Sequence, residues 1–143
     1  MLTVGVTNPR HIAKHKRLAK CDIFDFEILC ALLSESPGIV FTPNVLSETS
    51  NLLRQISDPM RREISLTLAR LISLHDEEAV ASRVAAETPE YVRLGLTDAV
   101  LLELSATGFA LLTDDLDLYL AAMRRGLTAT NFSHVRDQRS DFQ

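Results

Sequence analysis

Between residues 94 and 132 the chain reads LGLTDAVLLELSATGFALLTDDLDLYLAAMRRGLTATNF, and the rest of the sequence can be placed outward from this segment. Thr97 is a favourable N-cap, and Asp98 in the first turn suits the positive end of a helix. Ala99, Val100, Leu101, Leu102 and Leu104 continue that helix, and Gly108 supplies the left-handed residue at which helices commonly stop. Phe109-Ala110-Leu111-Leu112 is a short unbroken apolar run, the pattern of a parallel strand buried on both faces. Thr113-Asp114-Asp115-Leu116-Asp117 ends the run, residues 118–125 predict another helix closed by Gly126, and residues 127–132 suit one more short strand. The order helix, strand, acidic tip, helix, strand puts carboxylates at the carboxyl end of a strand, where open α/β sheets place their ligands.

Carboxylates crowded together raise each other's pKa and are costly unless a cation neutralises them. Hard oxygen donors of this kind suit Mg²⁺ or Mn²⁺. Asp114, Asp115 and Asp117 also read as a solvated turn that caps the next helix, because aspartate is favoured at N-caps. The motif alone leaves both readings open.

With 143 residues and 46 % hydrophobic content the chain is expected to form one compact domain around a real core. A net charge of −4 argues against holding nucleic acid by bulk charge, though not against a local basic patch. Cys21 and Cys30 have no third or fourth cysteine to complete a zinc site, and reduced, packed thiols fit a cytoplasmic protein. No apolar run approaches the ~20 residues of a membrane span, so no membrane partner is expected. Residues 1–6 are too short and lack the flanks of a signal peptide.

Residues 10–20, RHIAKHKRLAK, carry Arg10, Lys14, Lys16, Arg17 and Lys20 on a presumed helix with almost no counter-charge. His11 and His15 stand at a metal-compatible i, i+4 spacing but lack the glutamate and third ligand of a zinc motif. The stretch is a basic face, either simply solvated or in contact with phosphate. Residues 22–34 predict a helix, Ile39-Val40-Phe41 a short strand, and Thr42-Pro43 a helix start with proline at its first position. Helices over residues 44–56 and 58–75 follow, with weaker helical signals over 79–86 and after Thr88-Pro89. Alternating short strands and longer helices make an α/β architecture of three-layer type, a short, mostly parallel sheet flanked by helices.

The junction Phe41-Thr42-Pro43-Asn44-Val45-Leu46-Ser47-Glu48 again delivers an acid just past a strand end. Glu48 alone reads as an ordinary exposed helical glutamate. Together with Asp98, Asp115 and Asp117 it suggests several carboxylates on one rim, the donor set of metal-assisted phosphodiester hydrolysis.

At LGLTDAVLLELSATG and FALLTDDLDLY, and more weakly at VFTPNVLSETSNLL, the chain resembles the PIN-domain ribonucleases. Many of these are the toxins of bacterial and archaeal toxin–antitoxin pairs. The resemblance extends over nearly the whole chain. It implies a PIN-like fold and single-stranded RNA as substrate, with Mg²⁺ or Mn²⁺ as cofactor. It also implies a homodimer and, for the toxin type, an antitoxin protein as partner. By the family pattern Glu48 is the helix glutamate, Asp98 the acid opening the later helix and Asp115 the acid of the T-x-D motif. Thr113 stands beside Asp115 at the RNA, and Asp117 is an auxiliary metal ligand. Lys14, Lys16 and Arg17 are the candidates to track the RNA backbone. The chain departs from the family in one respect: PIN nucleases carry an aspartate at the end of their first strand, and here no acid precedes Asp22. Either that aspartate lies upstream of Met1 or the chain lacks this ligand and becomes a scaffold that binds RNA or a protein without cutting. Residues 2–6 are expected to take the first strand's place.

Overall fold

The computed structural model describes residues 1–140, and their contacts gather into two compact units. The first comprises Met1–Phe41 with Val45–Glu77, the second Thr42–Asn44 with Glu78–Gln143.

In the first unit, Leu2–Thr7 forms helix α1, which corrects the expectation of a strand over residues 2–6. A valine- and threonine-rich segment makes a strand only where a neighbour completes its ladder. A helix satisfies the backbone internally, here through Gly5 N–Met1 O at 2.9 Å and Asn8 N–Val4 O at 3.1 Å. Two contacts seat α1 in its place. The hydroxyls of Thr7 and Thr67 meet at 2.7 Å, and the bare face of Gly5 takes the ring of Phe26, with which any β-carbon would collide.

The basic segment is not one helix but two 3₁₀ turns, Pro9–Lys14 and Lys16–Leu18, with His11 on the first and His15 in the extended link between them. Asn8 caps the first by accepting from Arg10 N at 3.0 Å, and His15 Nδ1 caps the second by accepting from Arg17 N at 3.2 Å. Of the first turn only Ile12 is buried, at 0 % exposure. Helix α2, Ile23–Ser34, starts in a reciprocal capping box: Asp22 Oδ1 accepts from Asp25 N and Asp25 Oδ2 from Asp22 N, both at 2.9 Å. Cys21 is half-buried and Cys30 is exposed.

Strand β1, Val40–Phe41, leads into α3, Pro43–Leu53, and α4, Met60–Leu74, leads into β2, Asp76–Glu77, which pairs with β1 in parallel. The core of this unit is Val4, Ile12, Leu46, Leu53, Ile64 and Leu68. Leu46 and Leu53 on α3, and Ile64, Leu68 and Leu71 on α4, recur at helical spacing on one face.

In the second unit, α5 (Ser82–Ala86) and α6 (Tyr91–Leu94) precede α7, Leu96–Ala106. Gly95, at φ 89°, takes the position before α7, so Thr97 lies inside the first turn and is not the N-cap. After the reversal at Gly108, β3 covers Leu111–Thr113, α8 covers Leu116–Arg124, β4 covers Ala129–Asn131, and α9 covers Phe132–Ser140. Strands β3 and β4 pair in parallel, Leu111 opposite Ala129 and Thr113 opposite Asn131. The strand is shorter than its apolar run and is not buried on both faces: Phe109 and Leu112 are each 37 % exposed while Leu111 is 6 % exposed. Leu102, Leu111, Leu118, Ala121 and Ala122 form one core cluster, and Ala85, Ala99 and Val100 another.

The architecture is therefore α/β and largely helical, with parallel pairing throughout. Among the described residues the strands make two two-stranded sheets rather than one continuous sheet. Such pairs are marginal by themselves, so the helices packed on them carry the stability. No described helix is long and apolar enough to cross a membrane.

Candidate functional site

The acidic tip of the second unit is built from the end of β3. Thr113 Oγ1 accepts from Asp115 N at 3.0 Å, which tightens the turn. Asp115 then closes the start of α8, its Oδ1 accepting from Leu118 N at 3.0 Å, against the N–H groups that carry the helix's positive end. The capping role offered by the sequence is thus real. It engages one carboxylate oxygen of an exposed residue and fixes the direction of the other.

Because β3 and β4 are parallel, the start of α9 emerges beside this tip. The Ser133 hydroxyl donates to Asp114 Oδ1, Arg136 Nη2 stands 3.5 Å from Ser133 Oγ, and the buried Asn131 caps α9 by accepting from His134 N at 3.2 Å. The Tyr119 and His134 rings meet edge to face, 5.2 Å between centroids, and stitch α8 to α9.

Asp98 comes to the same end for a reason of length. The eleven residues of α7 rise ~16 Å. The extended chain from Gly108 to Thr113 returns ~17 Å. By length alone Thr113 is expected level with the first turn of α7, where Asp98 sits half-buried. An ion pair joins these ends: Arg93, at the end of α6 and just ahead of α7, reaches Asp117 in the first turn of α8, Nη1 to Oδ1 3.2 Å. Along the same helices Arg125 donates to Glu103 at 2.8 Å and faces Glu90 at 3.8 Å, which clamps α6, α7 and α8 together.

Of the residues nominated from the sequence, Asp98, Thr113, Asp115 and Asp117 thus share one end of the second unit. Glu48 belongs to the first unit, exposed on α3, as do Lys14, Lys16 and Arg17, exposed on the two 3₁₀ turns. Arg17 and His15 line a largely apolar cavity of about 130 Å³ with Val4, Leu18, Leu52 and Leu53. Burial, then the positive charges of the amino terminus and Arg17, lower the His15 pKa below its usual value. The neutral ring is also what its cap to Arg17 N requires.

In kind, the acids of the second unit fit a hard divalent cation. Among the described residues no three His, Cys, Asp or Glu side chains are drawn together as a ligand group. Mg²⁺ commonly takes only one or two carboxylates and keeps its waters, so the donor set suits an open site rather than a closed cage. Arg93 and Ser133 escaped the sequence reading. Arg93 stands immediately before the LGLTDA motif, but nothing in its spacing pairs it with an aspartate 24 positions on. Compared with protein-family models, with curated proteins and with solved structures, the chain has no match.

Proposed function

We propose that this chain is a PIN-like, divalent-metal-dependent ribonuclease that hydrolyses phosphodiester bonds of single-stranded RNA. The observation that carries the reading is the Arg93–Asp117 contact, which brings the start of α7, where Asp98 sits, to the start of α8, which Asp115 caps past the end of β3. Asp98 and the uncapped oxygen of Asp115 are the residues that would hold Mg²⁺ or Mn²⁺, and Asp117 anchors Arg93 beside them. The chemistry assigned to the cation is activation of the attacking water and neutralisation of charge on the phosphate. The chain's own part is to orient those carboxylates: the α8 cap fixes Asp115, and the packing of Ala99 and Val100, both 0 % exposed, fixes the first turn of α7 and with it Asp98. Thr113, Lys14, Lys16 and Arg17 complete the reading as RNA contacts. A toxin-type role brings with it a homodimer, an antitoxin protein as partner and a cytoplasmic location.

A second reading rests on its own observation. With Leu2–Thr7 helical and no three-ligand group among the described residues, the chain also suits a PIN-like scaffold that binds RNA or a protein without cutting. One experiment separates the two. Purified protein is incubated with a labelled single-stranded RNA and Mn²⁺, alongside an EDTA control and Asp98→Asn. Cleavage lost in both controls supports the nuclease. Cleavage that Asp98→Asn leaves intact rejects the assigned site, and a folded protein that binds RNA without cutting it is the scaffold.

A further inference from the structure

The cations nominated for RNA all lie in the first unit, whereas the acidic rim lies in the second. A phosphodiester approaching Asp98, Asp114, Asp115 and Asp117 meets like charge and is favoured only by cations at that rim. Arg136 stands on its Ser133 side, and Arg93 stands on its Asp117 side. The Arg93 guanidinium spends a single N–H, on Asp117 Oδ1 at 3.2 Å, and both side chains are open to water, 48 % and 72 % exposed. An ion pair this exposed contributes little to stability, because solvent screens it. The rigid fork of an arginine, by contrast, matches the paired oxygens of a phosphate. Anchored on one side and open on the other, it needs little reorganisation to receive one.

Resting on the ribonuclease reading above, we propose that Arg93 is the phosphate-positioning residue of the rim. It holds a backbone phosphate of single-stranded RNA beside Asp98 and Asp115, and Asp117 serves as its anchor rather than as a metal ligand. The ion pair aims the guanidinium, and the carboxylate that aims it competes weakly for the same donors.

The test is RNA binding in EDTA, so that cleavage and metal binding play no part. A fluorescein-labelled 20-residue oligouridylate is titrated with the full chain by anisotropy across a salt series. The variants are Arg93→Ala, Arg93→Lys, Asp117→Asn and, as a control on an exposed ion pair of the first unit, Arg61→Ala. Melting temperatures confirm that each variant is folded. Arg93→Ala is expected to weaken binding about tenfold or somewhat more, the lower end of the range for one charged hydrogen-bonded contact. It should also flatten the dependence of log affinity on log salt by about 0.7, one phosphate on a single strand. Arg93→Lys should keep the salt slope and lose part of the affinity, Asp117→Asn should bind at least as tightly as the parent, and Arg61→Ala should change neither. Wild-type affinity and slope in Arg93→Ala would overturn the proposal, as would no binding by the parent chain or equal weakening by Asp117→Asn. Arg93-dependent binding without any cleavage in Mn²⁺ would defeat the nuclease reading alone. Asp98-dependent cleavage with Arg93-independent binding would defeat this inference alone.

Discussion

The chain turns from strand into helix after a threonine twice, and the two turns are built oppositely. After β1, Thr42 is 1 % exposed and Pro43 opens α3 with no N–H to satisfy, so the turn is sealed. After β3, Thr113 and Asp115 hold each other in an open turn, and Asp114 and Asp117 reach out to Ser133 and Arg93. The residues that follow the threonine make the difference. Proline removes one donor from the first turn and adds no polar atom, whereas Asp115 caps its helix and leaves an oxygen facing water. An apolar run ending in threonine therefore marks a strand end, but only the open version presents chemistry.

The two cores differ as well. Large branched side chains, Ile12, Ile64, Leu46 and Leu53, fill the first unit, while alanines at 99, 121 and 122 let helices approach closely in the second. Truncating the fully buried Ile64 or Leu102 to alanine is expected to cost about 2–5 kcal/mol each in urea unfolding. A single transition moved by both variants would mean one cooperative body, and two transitions each moved by one variant would mean two folding units. Gly5→Ala should cost less, about 1–3 kcal/mol of overpacking against Phe26. No loss of melting temperature in that variant would contradict the seating of α1 on α2.

At the open turn, Asp115→Ala should lose about 1 kcal/mol of helix capping besides any cleavage, and Asp115→Asn should restore the stability without the charge. Equal stability of Asp115→Ala and the parent in thermal melts would show that the cap contributes nothing.

The smallest expected effect is a pH dependence in the first unit. The folded His15 pKa is depressed, so below its ordinary value the unfolded chain takes up a proton that the folded chain refuses. Stability contributed by the neutral ring is thus present at pH 7 and falls as pH drops through about 6.5 toward the lowered folded value. His15→Gln should flatten that slope in melts between pH 7.5 and 5, and an NMR titration of His15 at or above its usual value would refute it.

Much of the second unit was legible in its residues. The order of elements over residues 94–132, the reversals at Gly108 and Gly126, both at positive φ, and the acids past β3 all follow from local chemistry. The misreadings share a cause. Residues 2–6 and 109–110 have strand propensity but no partner, and propensity becomes a strand only where a ladder closes. The stretch over residues 10–20 breaks into two turns because Asn8 and His15 cap their own downstream N–H groups.

Local chemistry alone determined where the helices stop, that the strand tips carry oxygen donors, and that parallel pairing was to be expected, because caps, turn residues and apolar period act over a few positions. Tertiary structure alone decided that Leu2–Thr7 is a helix and that Arg93 lies on Asp117, which brings the start of α8 to the start of α7. Each of these depends on which distant segment stands opposite, a matter of packing and charge across dozens of residues that no local pattern encodes.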